Sequence, residues 1–123
     1  MDVSYDARPD HLHVVARDRF DTEEARAIIA QAARLCAQHQ VRKVFVDFRG
    51  VTDILSIADR HALGHALASA RIPARIAILV AEPQHRTNAF EDTAVNRGAA
   101  VLTTTSEAEA RSFLELTDEA AKG

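Results

Sequence analysis

His61 and His65 stand four residues apart in a segment with helical spacing, so they share one face of a helix. A metal site built on them needs at least one more ligand, such as His85 or a carboxylate. Zinc hydrolases with two helical histidines place a Glu beside the first, but here Arg60 and Ala62 flank it. The two histidines therefore read as surface or interface residues opposite Leu63 and Leu67, and no metal or other cofactor is expected. Ser56 precedes the same helix. Its hydroxyl can cap the helix or present a phosphorylation site. Cys36 lies on an apolar helical stripe with no base beside it in sequence, which suits a small inert hydrophobe rather than a nucleophile. The run Thr103-Thr104-Thr105-Ser106 has too few glycines for a phosphate-cradling loop and no following Lys. No nucleophile–base pair stands at a recognisable spacing, so no catalytic residue is assigned and the expectation is a non-enzyme.

Asp47 offers a different kind of site. It lies at the carboxyl end of Val44-Phe45-Val46-Asp47-Phe48, a short, nearly all-apolar run suited to a central strand covered on both faces. Open α/β sheets bind ligands beyond those strand ends. Arg49, Glu82, Arg86 and Thr103 to Thr105 are expected at the same edge. Helices starting near Ser56, Arg86 and Ser106 add the positive ends of three backbone dipoles. Asp47, Arg49, Ser56 and Arg86 are thus the candidate binding edge, suited to a phosphate, a carboxylate or an acidic loop.

The elements that must position these residues follow from patterning. Val3-Ser4-Tyr5 and His11 to Ala16 read as a strand pair joined by the turn Ala7-Arg8-Pro9-Asp10. His11 and His13 share one strand face, solvated at its outer end, opposite Leu12 and Val14. Asp21 with Glu24 forms a capping box for a helix ending near His39-Gln40. After Val44 to Phe48, the segment Arg49 to Asp53 reads as a loop. Ser56 opens a helix to about Ala70. Arg75 to Ala81 is the strongest buried strand, and Arg86 to Asn96 a short helix closed by Gly98 in the left-handed conformation. Ala100 to Thr104 is a strand, and Ser106 with Glu109 caps a last helix through Phe113 and Leu114. Residues 118–123 are expected to fray.

The order β-β-α-β-α-β-α-β-α predicts a single α/β domain, with a mixed, mostly parallel sheet of about five strands and four α-helices. Composition agrees with one domain. The chain has 123 residues, 47% apolar and 27% charged. One cysteine excludes an internal disulfide, and a net charge of -3 argues against a nucleic-acid partner. The longest apolar run, Ile76 to Ala81, is far below the ~20 residues of a membrane span, so no membrane insertion is expected. Met1 to Ser4 lacks a basic region followed by an apolar stretch, so the expected location is cytoplasmic.

The arrangement resembles the SpoIIAA-like proteins, related to STAS domains (anti-sigma-factor antagonists) and grouped with Sec14-type lipid-binding folds. The resemblance rests on Val44 to Val51, Ile76 to Val80, Phe90-Glu91, Asn96-Arg97-Gly98 and Glu109 to Leu114, and covers nearly the whole chain. STAS antagonists carry Asp-Ser-Ser-Gly or Asp-Ser-x-Gly at the start of the helix after the central strand, where a serine is phosphorylated. Counted from Asp47, that motif falls on Leu55-Ser56-Ile57-Ala58, with Leu55 and Ala58 in place of Asp and Gly. Either Ser56 or Ile57 aligns with the modified serine.

The resemblance implies a cytoplasmic regulatory module that docks a protein partner through the second helix. Its rival is a carrier that holds a small anionic, amphipathic or lipid-like ligand between sheet and helices. A flat apolar patch around that helix favours the first, and a cavity of several hundred cubic ångströms the second. Alanine-rich helices and the histidine face suggest a homodimer.

Overall fold

The computed structural model describes residues 1–53, 55–84 and 89–116. His85, Arg86 and the tail at 118–123 lie outside the described residues. One five-stranded sheet organises the rest, with strands in chain order: β1 (Asp2–Ala7), β2 (Leu12–Asp18), β3 (Lys43–Val51), β4 (Arg75–Leu79) and β5 (Ala100–Thr104). β1 runs antiparallel to β2, and β2 through β5 are parallel. The helices are α1 (Thr22–His39), α2 (Ile57–Ala70), α3 (Ala89–Asn96) and α4 (Glu107–Leu114), with a short 3-10 turn at Glu82–Gln84. The chain is a single α/β domain with a mixed, mostly parallel sheet and four α-helices.

The hand of parallel crossovers explains the layers. Each step from β2 to β5 moves to the next strand in the same direction, so all three connecting helices fall on one face. Leu12, Val14, Val44, Val46, Ile76 and Val101 meet α1, α2 and α3 there in the main core. α4 follows the last strand and covers the other face, where Ala110 and Leu114 pack on Phe45, Ala77 and Leu79.

Local chemistry sets the helix ends. Asp21 accepts from Glu24 N–H at 3.0 Å, Ser56 from Asp59 N–H at 3.0 Å and Ser106 from Glu109 N–H at 3.2 Å. Gly98, at φ +99°, takes the left-handed conformation after α3 that an L side chain resists. α2 and α3 approach closely at Gly64. A Cβ there would lie 2.5 Å from the Phe90 carbonyl oxygen and 2.9 Å from Thr93 Cβ.

Two expectations need correction. Arg49 to Val51 is strand, not loop. β2 keeps pairing past Phe48 through Arg17–Gly50 and Asp18–Val51, after a register shift between Val15 and Arg17. Thr52 N–H then closes onto Asp18 O at 3.0 Å. His11 is not on a solvated face: it is 1% exposed. It lies just before β2, on the face that α4 covers, with Arg111 and Leu116 nearby. One strand end also differs: β4 closes at Leu79 rather than Ala81. α3 is described from Ala89, and its expected start at Arg86 lies outside the described residues.

Candidate functional site

β3 carries Asp47 and Arg49 two residues apart, so both side chains leave the same face, toward α4. Arg49 Nε and Nη2 donate to Asp47 Oδ1 and Oδ2 at 3.0 and 2.8 Å, and Arg49 N–H donates to Oδ1 at 3.1 Å. Glu107, in the first turn of α4, stands 3.6 Å from Arg49 Nη2 and pairs with Arg111 on the next turn. The chain of charge runs Asp47–Arg49–Glu107–Arg111. Hydrogen bonds from Arg49 hold the Asp47 carboxyl below the usual carboxylate range, against the opposing effect of burial. The same bonds push Arg49 further up.

His13 and His11 form the wall beside Asp47. The His13 ring stacks on Phe45 at 5.1 Å and meets His11 edge-on at 6.0 Å. His11 Nδ1 is 2.8 Å from Asp10 Oδ1. Burial lowers the His13 pKa, with Arg8 and His11 adding to the effect. These groups and Leu116 enclose a polar groove of about 120 Å³. Among the described residues lining it there is no Ser, Thr, Cys or Lys, and both its carboxylates face arginines.

Ser56 lies in the other layer. It caps α2, whose Leu63 and Leu67 face the α1–α3 side of the sheet. The structure therefore joins Asp47 to Arg49 and sets Ser56 on the opposite side of the sheet, while Arg86 is outside the described residues. Acidic side chains fill the helix starts that sequence reasoning read as positive: Asp59 in α2, Glu91 and Asp92 in α3, Glu107 and Glu109 in α4. They offset the dipole field.

The exposed face of α2 carries Ile57, Ala58, His61 and His65. Ile57 is 60% exposed in the first turn, beside the Ser56 cap. His61 Nδ1 is 2.6 Å from Thr93 Oγ1 on α3. Among the described residues, no group of three or more His, Cys, Asp or Glu is placed to hold a metal ion, and no helix is long and apolar enough to cross a membrane.

A second cavity lies where the carrier reading placed a ligand, though its lining residues were not named from the sequence. It lies between the sheet and α1, α2 and α3, measures about 120 Å³, and is walled by Ile28, Val46, Leu63, Ile78 and Phe90. Two polar side chains reach it, Arg60 and Thr103. Arg60 is 6% exposed, and its Nε donates to Leu55 O at 3.1 Å. Thr103 N–H donates to Glu91 Oε1 at 2.5 Å. Thr103 Oγ1 is the only buried side-chain polar atom among the described residues without a hydrogen-bond partner. Sequence alone gave one partial signal: Thr103 stood in a hydroxyl run at the end of an expected strand. Arg60 lies on α2 at the spacing of Leu63 and Leu67, but a charged residue there reads as solvated.

Compared with models of known protein families and with curated proteins, the chain matches none.

Proposed function

We propose that the chain is a non-enzymatic binding module that holds a small, mostly apolar molecule between its sheet and the layer of α1, α2 and α3. The observation that carries this reading is the half-open pocket of about 120 Å³, almost wholly apolar in its walls, between the sheet and α1, α2 and α3. A dry engineered cavity of about 150 Å³ takes up benzene. At about 120 Å³ the pocket is well below the several hundred cubic ångströms expected of a lipid carrier, so it suits a ring or a short branched chain, and the proposed ligand is smaller than a lipid. The absence of chemistry is part of the proposal. Asp47 is held ionised by Arg49, far from the poise of a general base at neutral pH. The order β-β-α-β-α-β-α-β-α supports a STAS-related origin, which is likewise a proposal.

The test is thermal unfolding with millimolar toluene, beside native mass spectrometry of the purified protein. Toluene raises the melting temperature of the wild-type protein, because a ligand that binds only the folded state stabilises it by mass action. Ala32 lines the cavity and is buried. Ala32→Leu fills the space, raises the melting temperature without ligand and abolishes the toluene shift. A wild-type protein that neither retains a small molecule nor responds to toluene defeats the reading.

A second reading rests on Ile57. A large aliphatic side chain 60% exposed in a capped first turn suits insertion into an apolar socket on a protein partner, a second copy of the chain included. Ile57→Ser abolishes association in this reading and leaves the fold intact. A chain that light scattering finds monomeric, and that no partner captures through Ile57, goes against it.

A further inference from the structure

The cavity is apolar except at two points, and one of them is unsatisfied. Thr103 Oγ1 is buried, can donate one hydrogen bond and accept two, and makes none. A buried hydroxyl left unpaired weakens the folded state, and such atoms in native proteins call for an explanation. Its neighbour Thr104, on the other face of β5, shows the contrast: Thr104 Oγ1 accepts from Ser106 N–H at 3.0 Å. The Thr103 backbone N–H is also used, by Glu91 Oε1. The side-chain hydroxyl has no such partner, and it belongs to a residue that lines the cavity with Ile78, Val80 and Phe90.

From this we infer the class of ligand: an apolar body of about a single ring, bearing one oxygen head group, a hydroxyl or a carboxyl, that hydrogen-bonds Thr103 Oγ1. The inference rests on the cavity-binding reading above and adds the polar contact to it. A purely hydrocarbon ligand leaves the hydroxyl as unsatisfied as the empty cavity does. A head group with an oxygen supplies an acceptor for the Thr103 proton, and a hydroxyl or protonated carboxyl supplies a donor as well. The guanidinium of Arg60 in the same cavity favours oxygen-rich groups over amines, because its charge is positive at every physiological pH.

The experiment compares toluene, benzyl alcohol and benzoate by calorimetric titration, on wild type and on Thr103→Val and Thr103→Ser. Valine keeps the shape of threonine and removes the hydroxyl, and serine keeps the hydroxyl. On wild type, benzyl alcohol or benzoate binds about tenfold tighter than toluene, the worth of one buried hydrogen bond. Thr103→Val removes that preference and leaves toluene unchanged, while Thr103→Ser retains it. Preference for the alcohol identifies a neutral head group, preference for benzoate an anionic one, and either supports the inference. Equal binding of all three probes to wild type, or a preference that survives Thr103→Val, overturns it while leaving the cavity reading in place. Failure of every probe on wild type defeats both. If Thr103→Val does not fold, the loss or survival of the preference in Thr103→Ala decides in its place.

Discussion

The imidazole of His13 lies flat on the ring of Phe45, centroids 5.1 Å apart and planes 7° from parallel. The two residues are register partners on adjacent parallel strands, so the sheet itself sets the stack. The stack takes imidazole surface out of water, which disfavours the charged form.

A pH dependence follows. Burial, Arg8 and His11 lower the His13 pKa, and Asp47 and Asp6 oppose them without reversing the sign. Unfolded, the ring takes up its proton near pH ~6.5. Folded, it does so only at lower pH. Between the two values the unfolded chain binds more protons, so stability rises with pH there and is lost on acidification. Urea midpoints measured from pH 7 to pH 5 should fall for wild type and fall less for His13→Phe, which keeps the stack. Equal slopes for the two proteins would rule His13 out as a source of the loss.

The contact between α2 and α3 gives a second expectation. Alanine at position 64 improves helix propensity by about 1 kcal/mol. The Cβ it adds would sit 2.5 Å from the Phe90 carbonyl oxygen, which is backbone and cannot swing aside. Overpacking of this kind costs about 1–3 kcal/mol, so the clash outweighs the propensity gain. Gly64→Ala should therefore lower the free energy of unfolding in urea. A variant more stable than wild type would show that α3 moves off α2 at little cost.

Ser56 gives a third. Its Oγ accepts from Asp59 N–H at 3.0 Å and satisfies one orphan donor of α2. Ser56→Ala should cost about 1 kcal/mol, read as a lower melting temperature. Ser56→Asp keeps a capping oxygen and adds negative charge at a helix start, so it should remain near wild type. An alanine variant as stable as wild type would mean that the cap contributes nothing.

Much of the architecture was legible because it is written in short-range chemistry. Asp21, Ser56 and Ser106 cap helices in this chain because each needs only an oxygen at a fixed offset from a backbone N–H. The alternation around Leu12 and Val14 fixed which face of β2 enters the main core. Gly98 marked the end of α3 by its tolerance of positive φ. These signals involve neighbours a few residues apart, and they gave the strand and helix order.

Tertiary structure decided what depends on distant neighbours. β3 extends to Val51 because β2 continues beside it, which the polar text of Arg49 and Gly50 does not reveal. His11 is buried in a groove it shares with Arg111 of α4 and with Leu116, residues about a hundred positions later in the chain. Asp47 and Arg49 clamp each other on one side of the sheet while Ser56 caps a helix on the other, so a shared sheet edge did not make a shared site. Thr103 and Thr104 are the same residue type in adjacent positions. The pleat turns them to opposite faces, where the Thr104 hydroxyl meets the start of α4 and Thr103, its hydroxyl unpartnered, lines an apolar cavity. That cavity is space left by side chains from six elements, and packing at that range is fixed only when the elements meet.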